Sequence, residues 1–370
     1  MRVDDARLNE ALEWSVSKDL IVDVYHGTDL VLADVKFTDY RLSWDLRSNI
    51  KASGSGTVVH ESVKGESLLP AGVNGVLSPF RARLLVAMDV VAGEYTRRVQ
   101  LGWFRVMKVP GGSDQTAIVN GVERVMTSTV RVEFESLDTD VFWAGFRQEE
   151  QPPTLDGYDE LRRIGILPVR ETVPDFTLPS GLTWEARNGG RLDAVHKVAS
   201  AAGCVPVVDA RGAWVLVPSD PALTPVHTLQ VGEFGTVIDF EQLVDSDGIY
   251  NEVVGEFESE AGEPIRSVRT ITAGPLSTSG AWLRKTLYFS SPVIKTQTAA
   301  DAAVITRLAG VSGSQVYDVP VSAIVNPVVE IGDVVAIADG VTVLLVGQVV
   351  SQAISEGELM DLVLRVKVTL

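Results

Sequence analysis

One stretch of this chain constrains its fold more than any other: Met360, Leu362, Leu364, Val366, Val368 and Leu370 alternate with Asp361, Val363, Arg365, Lys367 and Thr369. A period of two over that length is a β-strand with one buried face. Immediately upstream, the run NPVVEIGDVVAIADGVTVLLVGQVVSQAISEGELM is valine-rich and punctuated by Gly332, Asp339-Gly340 and Glu356-Gly357. Such turns between alternating runs predict a small antiparallel barrel. Valine supplies 58 of the 370 residues, and its stiff, β-branched side chain suits a pleated surface better than a helix. The expected class is mainly β with a smaller α+β insertion, in two or three domains.

A formal charge of −17, with no run of Lys or Arg to offset it, argues against nucleic-acid binding as the main task. Mean hydropathy is positive, at +0.16, yet no stretch approaches 18 uninterrupted apolar residues, so no membrane span is expected. The segment MRVDDARLNEALEWSVSK carries acids where a secretory signal has a basic start. It is read as no targeting segment, and synthesis as cytoplasmic. Cys204 is the only cysteine, which leaves no intramolecular disulfide or cysteine-rich zinc site and suggests a small buried hydrophobe.

Along the chain, a short helix with Leu8, Ala11 and Leu12 on one face precedes strands that run from about Lys18 to Phe146, giving an N-terminal β-barrel domain over 1–147. The polar, proline-bearing Gln148–Thr154 marks a boundary. An α+β insertion over 148–240 follows. In it GYDELRRIGILPV is short and mixed, Leu192, Val195, Ala199 and Ala202 share the face of a helix stopped by Gly203, and VPVVDARGAWVLVP is a hairpin around an Asp-Ala-Arg-Gly turn. A C-terminal β-barrel domain over 241–370 contains one packed helix, capped by Thr298, with Asp301 near its start, ended by Gly310, and packing through Ala300, Val304 and Leu308.

Chemistry is sparse. The histidines His26, His60, His196 and His227 are scattered, without HExxH or HxH spacing, and His196 is expected to be a half-exposed structural residue. Gly54-Ser55-Gly56 and Gly313-Ser314 lack the nucleophile-elbow pattern and read as turns. No phosphate-loop spacing occurs. The acidic pairs Asp138 with Asp140 and Asp245 with Asp247, and the series Glu256, Glu258 and Glu260, have the spacing of a wet strand face rather than of a glycosidase pair. Asp245 to Gly248 resembles the start of a calcium loop with Glu256 at the twelfth place, but Ile249 and Tyr250 stand where a ligand and a glycine are needed. Trp103 and Trp214 are expected in the core, Trp143 and Trp282 at subunit contacts. No catalytic, cofactor-binding or metal residue is assigned, no cofactor is expected, and the chain is read as a non-enzyme.

Taken in order, VKFTDYRLSWDLRSNIKASGSGTVV, the insertion leading into VPVVDARGAWVLVP, IYNEVVGEF, SSPVIKTQTAADAAVITRLAG and VYDVPVSAIVNPVVEIGDVVAIAD resemble the tail hub (minor tail, tail tip or baseplate-hub-like) proteins of long-tailed actinobacteriophages. The resemblance implies two tube-type barrel domains per chain. It further implies a structural virion protein, made in the host cytoplasm and placed at the tail tip. There a homotrimer would adapt a sixfold tube to a threefold tip and form part of the DNA conduit, which an acidic lumen would suit. The implied partners are the distal tail, tail tube, tape-measure and other tail tip proteins. Alternatives are a distal tail or receptor- or carbohydrate-binding tail component, and, at a further remove, a glycan-cleaving enzyme.

Overall fold

The computed structural model describes residues 6–12, 16–62, 65–70, 72–233, 235–241, 248–280, 282–312 and 314–369. The chain is mainly β. It divides into two compact units, Met1–Phe240 with Pro320–Leu364, and Glu241–Val319 with Arg365–Leu370.

The first unit opens with α1 (Ala6–Leu12), whose Leu8, Ala11 and Leu12 are buried as expected. Six strands follow: β1 (Ser17–His26), β2 (Asp29–Asp45), β3 (Ala52–Glu61), β4 (Ala82–Ala92), β5 (Tyr95–Val119) and β6 (Val122–Ser136). Their antiparallel pairings run β1–β4–β5–β6–β3–β2 and return from β2 to β1, so the hydrogen-bond circuit closes on itself. Alternation fills the interior: Leu84, Val86, Met88 and Val90 of β4 are buried. An aromatic cluster packs the middle, with Phe104 and Phe134 ring centroids 5.0 Å apart and Trp44 edge-on to Phe104. Glycine makes room for it. A Cβ on Gly56 would lie 2.4 Å from the Phe37 ring, and one on Gly54 2.6 Å from Phe134.

Two aspartates in left-handed backbone mark irregularities in β2, which pairs with β1 only up to Lys36 but stays on β3 as far as Trp44. Asp34 (φ 54°) and Asp39 (φ 49°) sit at register shifts against β1 and β3, where a bulge adds a residue and twist. Each backbone N–H is captured by a carboxylate, Asp34 by Asp23 at 2.7 Å and Asp39 by Glu356 at 2.8 Å. Beyond the second bulge, Arg41–Asp45 pair with Ser351–Ser355 of a second set of strands.

That set comprises β9 (His227–Gln230), β10 (Val237–Phe240), β14 (Ser314–Ile324), β15 (Val334–Asp339), β16 (Thr342–Ser355) and β17 (Leu359–Thr369). The order is β9–β15–β16–β17–β14–β10, with β9 parallel to β15. Met360, Leu362, Leu364 and Val366 of β17 are buried, as their alternation requires. Both outer strands have four residues and come from the middle of the chain.

Between the two sets in sequence lie α2 (Asp138–Trp143), α3 (Gly157–Gly165), α4 (Gly190–Ala201) and the hairpin of β7 (Cys204–Val208) and β8 (Trp214–Pro218). Leu161, Ile164, Val195 and Val198 pack with Trp184 and Trp214. The Trp184 indole donates to Glu160 at 2.6 Å and that of Trp214 to the Gly165 carbonyl at 2.8 Å, which lets both rings be buried. GYDELRRIG, read as mixed, is a helix capped by Asp156, which accepts the Asp159 N–H.

The second unit has β11 (Glu252–Glu258) between antiparallel β12 (Pro264–Thr270) and parallel β13 (Thr286–Phe289), with α5 (Gln297–Ser312) packed on it through Ala300 and Val304 against Val253 and Phe257. The capping residue is Thr296, not Thr298: its hydroxyl accepts the Ala299 N–H at 3.3 Å. The helix also runs through Gly310 to Ser312. Asp301 is held by Ser267 and Gln297, which depress its carboxyl pKa.

Candidate interaction surface

Where the closed circuit meets the α+β insertion, buried polar groups form a seam. Lys51 precedes β3, Ser136 ends β6 and Asp138 opens α2, so three strand and helix ends converge. The Asp138 carboxylate accepts the Lys51 N–H at 2.7 Å and the Ser136 hydroxyl at 2.5 Å, and that hydroxyl accepts the Ala52 N–H at 3.1 Å. The Lys51 ammonium donates to the carbonyls of Leu46, at 2.8 Å, and Ser48. Burial outweighs these donors and pushes the Asp138 carboxyl up to about 6. His196 of α4 is pushed down to about 4 by burial and then by the Lys51 charge, and its buried Nε2 has no hydrogen-bond partner among the described residues. The histidine is structural and partly buried, in line with its sequence position.

Asp138 and Asp140 do not lie on a wet strand face. Both are in the first turn of α2, with Asp138 fully buried. Spacing of two misleads there because a six-residue helix follows β6 directly. Asp140 is clamped by Arg83 at 2.8 Å and Arg105 at 2.6 Å. Arg105 in turn lies 4.9 Å over the Trp143 ring and donates to the Pro79 carbonyl at 3.4 Å. Two arginines from neighbouring strands thus share one carboxylate of α2 and tie the three elements together. The same contacts hold Trp143 at the surface, 51% exposed, beside a loop that presents Phe80, 72% exposed.

A second apolar surface is the far half of the β5–β6 hairpin. Strand β5 runs on to Val119, the chain turns at Asn120-Gly121, both with positive φ, and β6 returns from Val122. Ile118, Val122 and Met126 at its end are exposed. Its base is covered by Ser62, Gly65 and Leu68, which bond Met126, Val125 and Ser128, while the apolar side chains at its tip face outward.

The remaining sequence candidates stay apart. His26 bonds the Val76 carbonyl at 2.8 Å, and His227 lies 3.6 Å from Asp333. Gly54, Ser55 and Gly56 lie within β3 rather than in a turn. Asp245, Asp247 and Gly313 lie outside the described residues, while Glu256 is an exposed residue of the otherwise largely buried β11, 3.9 Å from Arg266. Trp214 is fully buried, whereas Trp103 is half-buried against Tyr25, at 4.8 Å, and Trp282 is half-buried. Cys204 is buried, which raises its thiol pKa. No group of three or more His, Cys, Asp or Glu placed to hold a metal occurs among the described residues, and no helix there is long and apolar enough to cross a membrane. One cleft, about 680 Å³, lies beside β1 and the β16–β17 turn, lined by Lys18, Lys36, Tyr40, Glu233, Glu356 and Glu358 among others. A second, about 430 Å³, lies between the β7–β8 hairpin and residues 330–333. Neither brings together a nucleophile, a base and an oxyanion donor.

No protein-family model matches the chain, and no curated protein does. Solved structures do. The 43 kDa tail protein of prophage MuSo2 from Shewanella oneidensis is similar with a TM-score of 0.51 and 12% identity, over 94% of this chain and 98% of that one. The chain has the fold of a prophage tail protein. The tail protein from Neisseria meningitidis MC58 is similar at a TM-score of 0.46 and 13% identity, covering 94% and 96% of the two chains. Prophage tail protein gp18 from Listeria monocytogenes EGD-e gives 0.42 and 12%, over 94% of each.

Proposed function

We propose that this protein is a structural component of a bacteriophage tail, a trimeric hub at the tail tip that joins a sixfold tube to a threefold end and lines part of the DNA conduit. The reading rests on the likeness to a prophage tail protein over 94% of this chain and 98% of that one. In it, the closed circuit of β1–β6 is one tube-type barrel and the β9–β15–β16–β17–β14–β10 sheet the core of the other. The outward insertion lies within residues 148–240, between segments 1–147 and 241–370, and the last two strands of that span, β9 and β10, join the second barrel. Three copies with two such barrels each would offer six similar faces to a tube. A formal charge of −17 suits a wall along which phosphate must slide without sticking. Distal tail, tail tube, tape-measure and other tip proteins are the proposed neighbours, the virion tail tip the proposed location, and a phage of actinobacteria the proposed source. The protein carries out no catalysis in this role.

Imaging of the native particle tests the reading. Threefold density for this chain closing the distal end of a tube is the expected result; a sixfold ring or a position on a side fibre overturns it.

A further inference from the structure

Among the described residues of the first unit, Trp143 and Phe80 are the most exposed aromatic rings, and one arginine stacks on the first and bonds the backbone beside the second. Arg105 stacks on the Trp143 ring, bonds the Pro79 carbonyl beside Phe80, and is itself fixed by Asp140, which also holds Arg83. Large aromatics held rigid at a surface, next to arginine, have the composition of an interface centre rather than of ordinary solvent-facing surface. The corner is also locally basic. Arg81, Arg83 and Arg105 stand against Asp140 and Glu135, the latter opposite Arg105 in the β5–β6 ladder, on a chain whose formal charge is −17.

The complement to such a corner is present elsewhere on the same unit. The 680 Å³ cleft is lined by Asp19, Glu233, Glu356 and Glu358 against Lys18 and Lys36. Strand register sets the two features apart. Tyr25 of β1 pairs with Arg83 of β4, whereas Asp19 pairs with Asp89. The basic corner and the acidic cleft are therefore separated by six residues of one ladder, roughly 20 Å along the strands. A continuous hydrogen-bonded ladder cannot fold back to bring them together, so the attraction is available only to another molecule.

We infer that the Phe80–Trp143 corner of one copy docks on the acidic cleft beside β1 and the β16–β17 turn of the next, as a head-to-tail contact between copies of this chain. The contact is heterologous, since different surfaces meet, and so can close a ring. This inference rests on the reading of the protein as an oligomeric tail component, and it names the surfaces that make the oligomer.

Charge exchange tests it on the full chain by sedimentation velocity over a concentration series. Arg81 and Glu233 are both exposed, and neither has a side-chain role in the fold described above. Arg81→Glu and Glu233→Arg are each expected to weaken self-association by about tenfold or more, because each puts like charges together. The double variant Arg81→Glu/Glu233→Arg is expected to return to within about threefold of the unaltered protein, since the pair is restored with its signs reversed. Phe80→Ser/Trp143→Ser, with circular dichroism unchanged, is expected to abolish association. Single variants that associate like the unaltered protein, or a double variant no better than either single, overturn the contact. An unaltered protein that stays monomeric at every concentration overturns it too. The hub reading is judged separately, by the symmetry seen in the particle.

Discussion

The closed circuit of β1–β6 and the open sheet of β9, β10 and β14–β17 are built from the same valine-rich alternation and end differently. In the first, strands of 10 to 25 residues pair in a circuit that returns from β2 to β1, and the outer edges left free are those of the projecting β5–β6 arm and the start of β1. In the second, β14, β16 and β17 have 11 to 14 residues, but the sheet stops at two strands of four. Closure removes the exposed row of N–H and C=O groups that invites another chain; very short edge strands blunt it. Alternation therefore dictates which face of a strand is buried, whereas the length and source of the outermost strands decide whether a sheet closes. The two regions also differ in what they bury. The closed circuit seals its end with Lys51 and Asp138, and the open sheet buries the neutral amides of Gln348 and Gln352.

The largest expected effect lies in the aromatic centre of the closed circuit. Phe104→Ala removes the ring that touches both Phe134 and Trp44, and is expected to cost about 3–5 kcal/mol. Urea unfolding measures it. A loss under about 1 kcal/mol would mean that the circuit is loosely packed and that the contrast with the open sheet is false.

Next comes the seam, where two buried groups oppose each other. The Asp138 carboxyl is raised to about 6 in the fold from an ordinary value near 4. The folded state therefore holds the proton that the unfolded state releases, and stability falls as pH rises from about 4 to 6. His196 is lowered to about 4 from an ordinary value near 6.5. Here the unfolded state binds the proton, and stability rises with pH across about 4 to 6.5. Each contribution is on the order of 3 kcal/mol, and they largely cancel. Asp138→Asn is expected to expose a stability that increases with pH, and His196→Gln one that decreases, read from unfolding midpoints at pH 4.5 and 6.5. Slopes of the same sign in the two variants would break the opposition.

Glycine gives a smaller and more local contrast. At Gly54 a methyl would meet the Phe134 ring and the Arg41 backbone oxygen at 2.8 Å, so Gly54→Ala is expected to cost about 1–3 kcal/mol. At Gly111, on the arm, nothing lies within 4 Å and φ is ordinary. Gly111→Ala is expected to be neutral or to gain up to about 1 kcal/mol. Thermal unfolding of the two variants side by side checks this; equal effects would deny that β3 is pressed against the rings.

Much of this was legible in the chain before any coordinates. The faces of β4 and β17, the buried side of α4 and the hairpin carrying Trp214 follow from periodicity, because each buries one face against a neighbour in a single layer. The closed circuit and the source of β9 and β10 were not legible, since pairing partners are long-range choices that alternation leaves degenerate. Helix α3 could have been found: Asp156 caps it, Asp159 and Glu160 occupy its first turn and Arg162 and Arg163 its last. Asp138 was misplaced because a carboxylate two residues from another has the same spacing on a wet strand as in a helix turn, and only the buried donors of Lys51 and Ser136 tell them apart. The Arg83–Asp140–Arg105 clamp joins residues 35 and 57 apart in sequence, with no local pattern to announce it.

The smallest effect concerns the edge of the open sheet. Ile238 of β10 points outward, 58% exposed, on a strand paired on one side with β14. Lysine there removes an apolar group that was not buried and adds the charge that natural edge strands use against unwanted pairing. Ile238→Lys is expected to change unfolding free energy by no more than about 0.5 kcal/mol and to lower light scattering at high protein concentration. The same change at Val86, in the closed circuit, places an ammonium in a fully buried site and is expected to prevent folding. If Ile238→Lys instead costs more than about 1 kcal/mol, the β10 edge is covered in the native protein, and the difference between a closed and an open sheet does not survive in solution.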